Sequence, residues 1–198
     1  MEKRRKVTNP LGLAVLAWLL VGPMHPYELG RRLQESGKDR TIKYNRGSLY
    51  MVVEQLRKAG YVAAQETLRD TQRPERTVYA LTDEGRRELY DWLGELVAEP
   101  RREYPQFGVA LSLLSVLAPA EAVALLTRRL AVLAGEIEET TTVMRSATDA
   151  GLAWVFLIEE EYRLAMLEAE ARFVTKLVES LEQPDYIRAW QETFGSQT

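Results

Sequence analysis

The 198-residue chain contains no cysteine. Disulfides, thiolate-held zinc and thiol-based sensing are therefore excluded. It has one histidine, His25, placed between Pro23 and Pro26. The chain offers no second histidine and no cysteine to join it, so no metal is expected and His25 is read as a cap or turn residue. Catalytic signatures are missing as well. There is no G-x-S-x-G elbow, no dinucleotide fingerprint and no His-paired nucleophile, and Gly37-Lys38 lacks the upstream glycine and following Ser/Thr of a phosphate loop. Neither an enzyme nor a cofactor is expected. Glu159-Glu160-Glu161 reads as a solvated helix face. Long apolar runs are scarce too. The run Leu11 to Val21 follows Lys3-Arg4-Arg5-Lys6 and imitates a signal peptide, but it ends in Gly22-Pro23-Met24-His25-Pro26 without a small-residue cleavage site. It is also shorter than the ~20 residues a bilayer span needs. A buried core helix opened by Asn9-Pro10 is the better reading, with a cytoplasmic chain and no membrane partner.

The formal net charge of −3 and pI near 5.5 conceal an asymmetry. Residues 1–98 hold 17 Lys+Arg against 13 Asp+Glu, whereas residues 99–198 hold 9 against 16. A basic first half is thus masked by an acidic second half, which keeps a nucleic-acid partner open.

In chain order, residues 10–21 predict a first helix, apolar nearly all round. A second opens at Pro26, with Leu29 and Leu33 facing the core at i,i+4. The third spans Arg46 to Ala59, with Gly60 as its left-handed C-terminal residue. Its apolar stripe is Leu49, Val52, Val53 and Leu56, and Ser48, Met51, Gln55 and Lys58 lie opposite. Segments 61–67 and 76–81 are β-prone and flank a polar stretch longer than a tight hairpin needs, which reads as an exposed wing. Thr82 caps a helix from Asp83 to about Val97. After a linker at 99–105 the pattern is helical throughout. Residues 106–117 form a short apolar piece, and Pro119 starts a long helix with the seam Val123, Leu126, Leu130, Leu133, Ile137, Thr140 and Met144. A second long helix is expected over 150–182, and Tyr186, Trp190 and Phe194 pack as a final turn. That second helix carries two stripes: Leu164, Leu167, Ala171, Val174, Val178 and Leu181, and Val155, Tyr162, Met166 and Phe173. One can cover the preceding helix; the other calls for a second chain.

The fold class expected is mainly α with a small β-wing. It comprises an N-terminal winged helix-turn-helix over 1–98, the linker 99–105, and a dimerisation domain of antiparallel long helices over 106–198. At Leu13-Ala14-Val15-Leu16, Gly22-Pro23-Met24-His25, Gly47-Ser48-Leu49-Tyr50, Leu56-Arg57-Lys58-Ala59-Gly60-Tyr61-Val62 and Arg76-Thr77-Val78-Tyr79-Ala80-Leu81-Thr82-Asp83-Glu84-Gly85, the sequence resembles the PadR family of bacterial transcriptional regulators. It departs in having Pro26 where the family usually has glycine, and Met51 where proline is common. The resemblance implies a homodimeric winged-helix repressor or activator. Its third helix would enter the major groove and its wing would touch backbone or minor groove, and in several members a small molecule near the dimer interface weakens DNA binding.

Residue by residue, Lys43, Tyr44 and Arg46 stand beside the start of the third helix, where a phosphate is favoured. Ser48, Met51 and Gln55 are candidates for base edges, because glutamine pairs with adenine and methionine touches the thymine methyl. Tyr50 either donates to phosphate or packs as a core tyrosine. Arg73 and Arg76 suit phosphate or minor-groove contact. Dimerisation is assigned to Leu164, Leu167, Val174, Val178 and Leu181. Trp18, Trp92, Trp154 and Tyr162 either line a pocket for a small apolar or aromatic effector or simply pack. The expected function is a sequence-specific, ligand-responsive homodimeric repressor on a pseudo-palindromic DNA operator. The alternative is a protein–protein adaptor using the same scaffold without DNA.

Overall fold

Apolar residues at 11, 15, 16 and 19 leave α1 (Pro10–Leu19) no solvent face along most of its length, and it becomes the central element of the N-terminal unit. Asn9 caps it, its side chain accepting from the Leu11 amide at 3.0 Å. The computed structural model describes residues 5–38, 41–65 and 77–194. Around α1 pack α2 (Pro26–Glu35), α3 (Arg46–Ala59) and α4 (Asp83–Ala98). Strand β1 (Val62–Gln65) pairs antiparallel with β2 (Val78–Leu81) in the register Val62↔Leu81 and Gln65↔Val78. Met24 extends this ladder, exchanging both backbone bonds with Tyr79 at 3.0 Å. The core joins Leu11, Val15 and Leu16 of α1 to Leu29 and Leu33 of α2 and to Leu49, Val52, Val53 and Leu56 of α3. Each leucine so removed from water contributes about 2–3 kcal/mol.

Local chemistry fixes the boundaries. His25 is the N-cap of α2, its Nδ1 accepting from the Tyr27 amide at 3.1 Å, and Pro26 takes the first helical position. Gly60 ends α3 at φ 84°, a left-handed conformation that costs glycine nothing. Thr82 Oγ1 accepts from the Gly85 amide and starts α4. Both strands are shorter than the β-prone segments within the described residues, and α1 ends two residues before Val21.

The chain divides into two compact units, Met1–Arg102 and Glu103–Thr198. In the second, α5 (Gln106–Ser112) and a 3₁₀ turn at Leu114–Val116 lead into α6 (Pro119–Asp149). A 3₁₀ turn at Trp154–Phe156 precedes α7 (Ile158–Leu181), and α8 (Pro184–Phe194) follows. Arg129 bonds Glu170, and Arg163 lies 3.8 Å from Glu136. Rising numbers on α6 meet falling numbers on α7, so the two helices are antiparallel. The α6 seam is inward throughout, with Leu126, Leu133 and Thr140 fully buried and the residues between them half-buried.

Two expectations are corrected here. Residues 150–157 are not the first turns of a long helix. Gly151 adopts φ 81°, and the Leu152 amide returns to the Ala147 carbonyl, so α6 closes before α7 begins. The tail is also more than a turn. Pro184 initiates an 11-residue helix, and Trp190 Nε1 donates to the Ser115 carbonyl at 2.8 Å.

Candidate nucleic-acid interface

Packing of Leu49, Val52, Val53 and Leu56 into the core leaves the opposite side of α3 in solvent. The helix start is set by a reciprocal capping box. The Asn45 side chain accepts from the Ser48 amide at 2.8 Å, and Ser48 Oγ accepts from the Asn45 amide at 2.9 Å. Ser48 is thus half-buried and also donates to the Asn45 carbonyl. Its hydroxyl orders the helix end. The amides of Arg46 and Gly47 precede the first intrahelical bond and point out along the axis, a partial positive charge that favours an anion.

The predicted contact residues are placed differently from one another. Lys43, Arg46, Met51 and Gln55 are exposed, Met51 at 55%. Tyr44 is half-buried against the core, and its hydroxyl donates to the Gly30 carbonyl at 3.3 Å. Tyr50 projects at the edge, its ring meeting His25 edge-on at 6.2 Å. Arg73 and Arg76 lie outside the described residues. Beside α3, a cleft of about 410 Å³ runs between α2 and the start of α3, lined by Tyr27, Arg31, Gln34, Tyr44, Arg46 and Tyr50. Arg46 sits over the Tyr27 ring at 5.8 Å. On the other flank Lys6, Thr8 and Asn9 border Met51, Gln55 and Lys58. The result is a convex helix edge between two polar margins.

Sequence reasoning missed two features. Glu54 lies on this same face, bonded by Arg57 through Nε and Nη2, both at 2.8 Å. The i,i+3 spacing of opposite charges was the available signal. The second is the buried anchoring of the N-terminal segment. Arg5 bridges Glu88 and Glu95 of α4 and lies 5.5 Å above Trp92, while Arg101 also bonds Glu95. Burial opposes the Arg5 charge, yet the hydrogen bonds it donates to Glu95 and Glu88 outweigh it and raise its pKa. Hydrogen bonding from Arg5, then from Arg101, holds the Glu95 carboxyl below its ordinary value.

The residues assigned to dimerisation and to a pocket are distributed as follows. Val174 and Leu181 are buried within the second unit with Ala122 and Leu126, Val178 packs beside them, and Leu164 and Leu167 are half-buried. The exposed stripe of α7 is instead Tyr162, Met166 and Phe173. Trp18 and Trp92 belong to the first unit, where Trp92 is buried and Arg32 lies 5.9 Å over Trp18. Trp154 and Tyr162 belong to the second and are 62% and 69% exposed. Among the described residues no cluster of acidic and histidine side chains is arranged to hold a metal ion, and no helix is long and apolar enough to cross a membrane.

A mainly helical unit of four packed helices and a two-stranded wing is a winged helix-turn-helix. Residues 15–91 match the family model of the transcriptional regulator PadR-like family, so the first unit carries a PadR-like domain. No curated protein matches the chain. Among solved structures, PadR of Bacillus subtilis in complex with operator DNA aligns with TM-score 0.72 at 18% identity, covering 87% of this chain and 99% of that one. The complex of Bacillus subtilis PadR with p-coumaric acid aligns with TM-score 0.61 at 21% identity, over 83% and 98%. The virulence activator AphA of Vibrio cholerae aligns with TM-score 0.67 at 15% identity, over 86% and 97%. At these identities the likeness is one of fold, and it extends through both units.

Proposed function

We propose that this chain is a homodimeric, DNA-binding transcriptional regulator, a repressor whose α3 helices enter successive major grooves of a pseudo-palindromic operator. The observation that carries the reading is the outward side of α3. Arg46, Met51, Gln55 and Lys58 stand exposed over a fully buried stripe, at a helix start whose amides are turned toward solvent. Lys43 adds charge beside that start, and the cleft with Tyr27, Arg31 and Tyr44 suits a flanking phosphate. The Bacillus subtilis neighbour solved with operator DNA supports a DNA partner.

Dimerisation is assigned to the second unit. Tyr162, Met166, Ala169 and Phe173 recur at 4-3-4 spacing along an exposed face of α7, a stripe a second copy can match by two-fold symmetry. Two heads so joined would read half-sites about one helical turn apart. A small apolar or aromatic effector that prefers one helix arrangement would change their separation, and the p-coumaric acid complex of a neighbour supports such responsiveness. The test is selection from a random duplex pool, with affinity followed against salt. The expected result is an enriched palindrome whose affinity falls steeply with salt. Weak, unselective binding would favour the adaptor reading.

A further inference from the structure

Glu54 occupies the outermost line of α3. Positions 47, 51, 54 and 58 recur at helical spacing opposite the buried stripe, so Gly47, Met51, Glu54 and Lys58 face away from the core together. A carboxylate in the middle of that line is out of place on a surface meant for a polyanion, unless it accepts a hydrogen bond there. Its geometry is fixed. Arg57 grips both oxygens, Nε to Oε2 and Nη2 to Oε1, each at 2.8 Å, and Lys58 Nζ lies 3.9 Å from Oε1. The Arg57 hydrogen bond holds the carboxyl below its ordinary value, so it is ionised and purely an acceptor at neutral pH. Solvent-exposed pairs of this kind add little to stability. What the planar fork does provide is orientation: it pins the carboxylate plane and leaves lone pairs on both oxygens directed outward.

In the major groove the hydrogen-bond donors are the adenine N6 and cytosine N4 amino groups. Adenine sets its N7 acceptor beside the amino group, which repels a carboxylate. Cytosine sets only a C–H there. We propose that Glu54 is a specificity-determining residue whose carboxylate, positioned by Arg57, accepts from the N4 amino group of one cytosine in each half-site. This rests on the reading that α3 lies in the major groove of DNA.

The test is parallel selection of the wild-type chain, Glu54→Gln and Arg57→Lys from one random duplex pool. Both side chains are solvent-facing, so the variants retain the fold. The wild type is expected to enrich cytosine at one position per half-site, with discrimination of roughly 5- to 150-fold. Glu54→Gln should convert that position to adenine, because the amide donates to N7 while accepting from N6, and should leave the other positions unchanged. Arg57→Lys should blur the preference at that position alone. Identical motifs from the wild type and Glu54→Gln would overturn the proposal while leaving the regulator reading intact. A wild type that enriches no motif would overturn both.

Discussion

Alanine placed at Gly85 and at Gly94, both on α4, should move stability in opposite directions. In a helix interior the exchange itself stabilises by about 0.5–1 kcal/mol, because glycine gives up more backbone freedom on folding. Around Gly94 a Cβ would meet nothing within 4 Å, so only that gain applies. Around Gly85 the Cβ would stand 2.0 Å from the Tyr61 carbonyl oxygen, 2.8 Å from its carbon and 2.9 Å from Leu81 Cδ1. An ordinary carbon–oxygen contact is roughly 3.3 Å or more, so the start of α4 must retreat by more than about 1 Å. The same oxygen accepts from the Thr82 amide at 3.1 Å and from Thr82 Oγ1 at 3.0 Å. Retreat therefore weakens the cap that begins the helix, about 1 kcal/mol. Overpacking adds about 1–3 kcal/mol. The sterics win, leaving Gly85→Ala destabilised by roughly 1–3 kcal/mol. In a unit of this size 1 kcal/mol moves Tm by roughly 4–8 °C. Thermal unfolding of the full chain should thus show Gly85→Ala melting roughly 5–20 °C lower and Gly94→Ala a few degrees higher. A Gly85→Ala variant at or above the wild-type Tm would refute the reasoning, with Gly94→Ala showing that a gain is detectable.

Further expectations follow from the caps, the buried ion pairs and α7. Asn45→Ala removes the half of the α3 capping box made by the Asn45 side chain, leaving the backbone amide at 45 to donate to Ser48 Oγ, and should cost about 1 kcal/mol in a urea midpoint measurement; an unchanged midpoint would show that half to be dispensable. Glu95 has a folded pKa below the ordinary 4.5 because Arg5, then Arg101, bonds its carboxylate. Its contribution is therefore complete above pH 4.5 and is lost as pH falls through the lower folded value, so Glu95→Gln should flatten the acid side of the stability curve relative to wild type. Parallel curves would dismiss that role. Phe173→Glu, on the exposed stripe, should yield a monomer in sedimentation without loss of helix. Leu181→Ala, at a site only 3% exposed, should lower stability by about 2–5 kcal/mol and leave association unchanged. The reverse outcome would place the interface on the other stripe.

What the sequence made legible was what short-range chemistry decides. Pro26, Gly60 and Thr82 each act through their own neighbours, and the start of α2, the bounds of α3 and the start of α4 are those expected. The 3-4 seam of α6 was equally readable, since a single partner helix dictates it. The break at 150–157 was hidden because Trp154, Val155 and Phe156 prolong an apolar pattern across Gly151, and periodicity carries no information about a left-handed turn. Glu54 was not legible because nothing in the pattern separates a solvated carboxylate from a hydrogen-bond acceptor on the same helix face.

Pattern alone gave dimerisation to the stripe of Leu164, Leu167, Val174, Val178 and Leu181, although nothing in the spacing favours it over the other. Both are apolar, and either fits a helix seam. Burial separates them: the single α6 seam takes Val174 and Leu181 into the second unit's core, while Tyr162, Met166 and Phe173 remain 49–69% exposed. Residues of that size and spacing are costly to leave in water, and a stripe that repeats along one helix is self-complementary about a two-fold axis. A core that consumes one stripe thereby leaves the other as the surface that the proposed dimer would use.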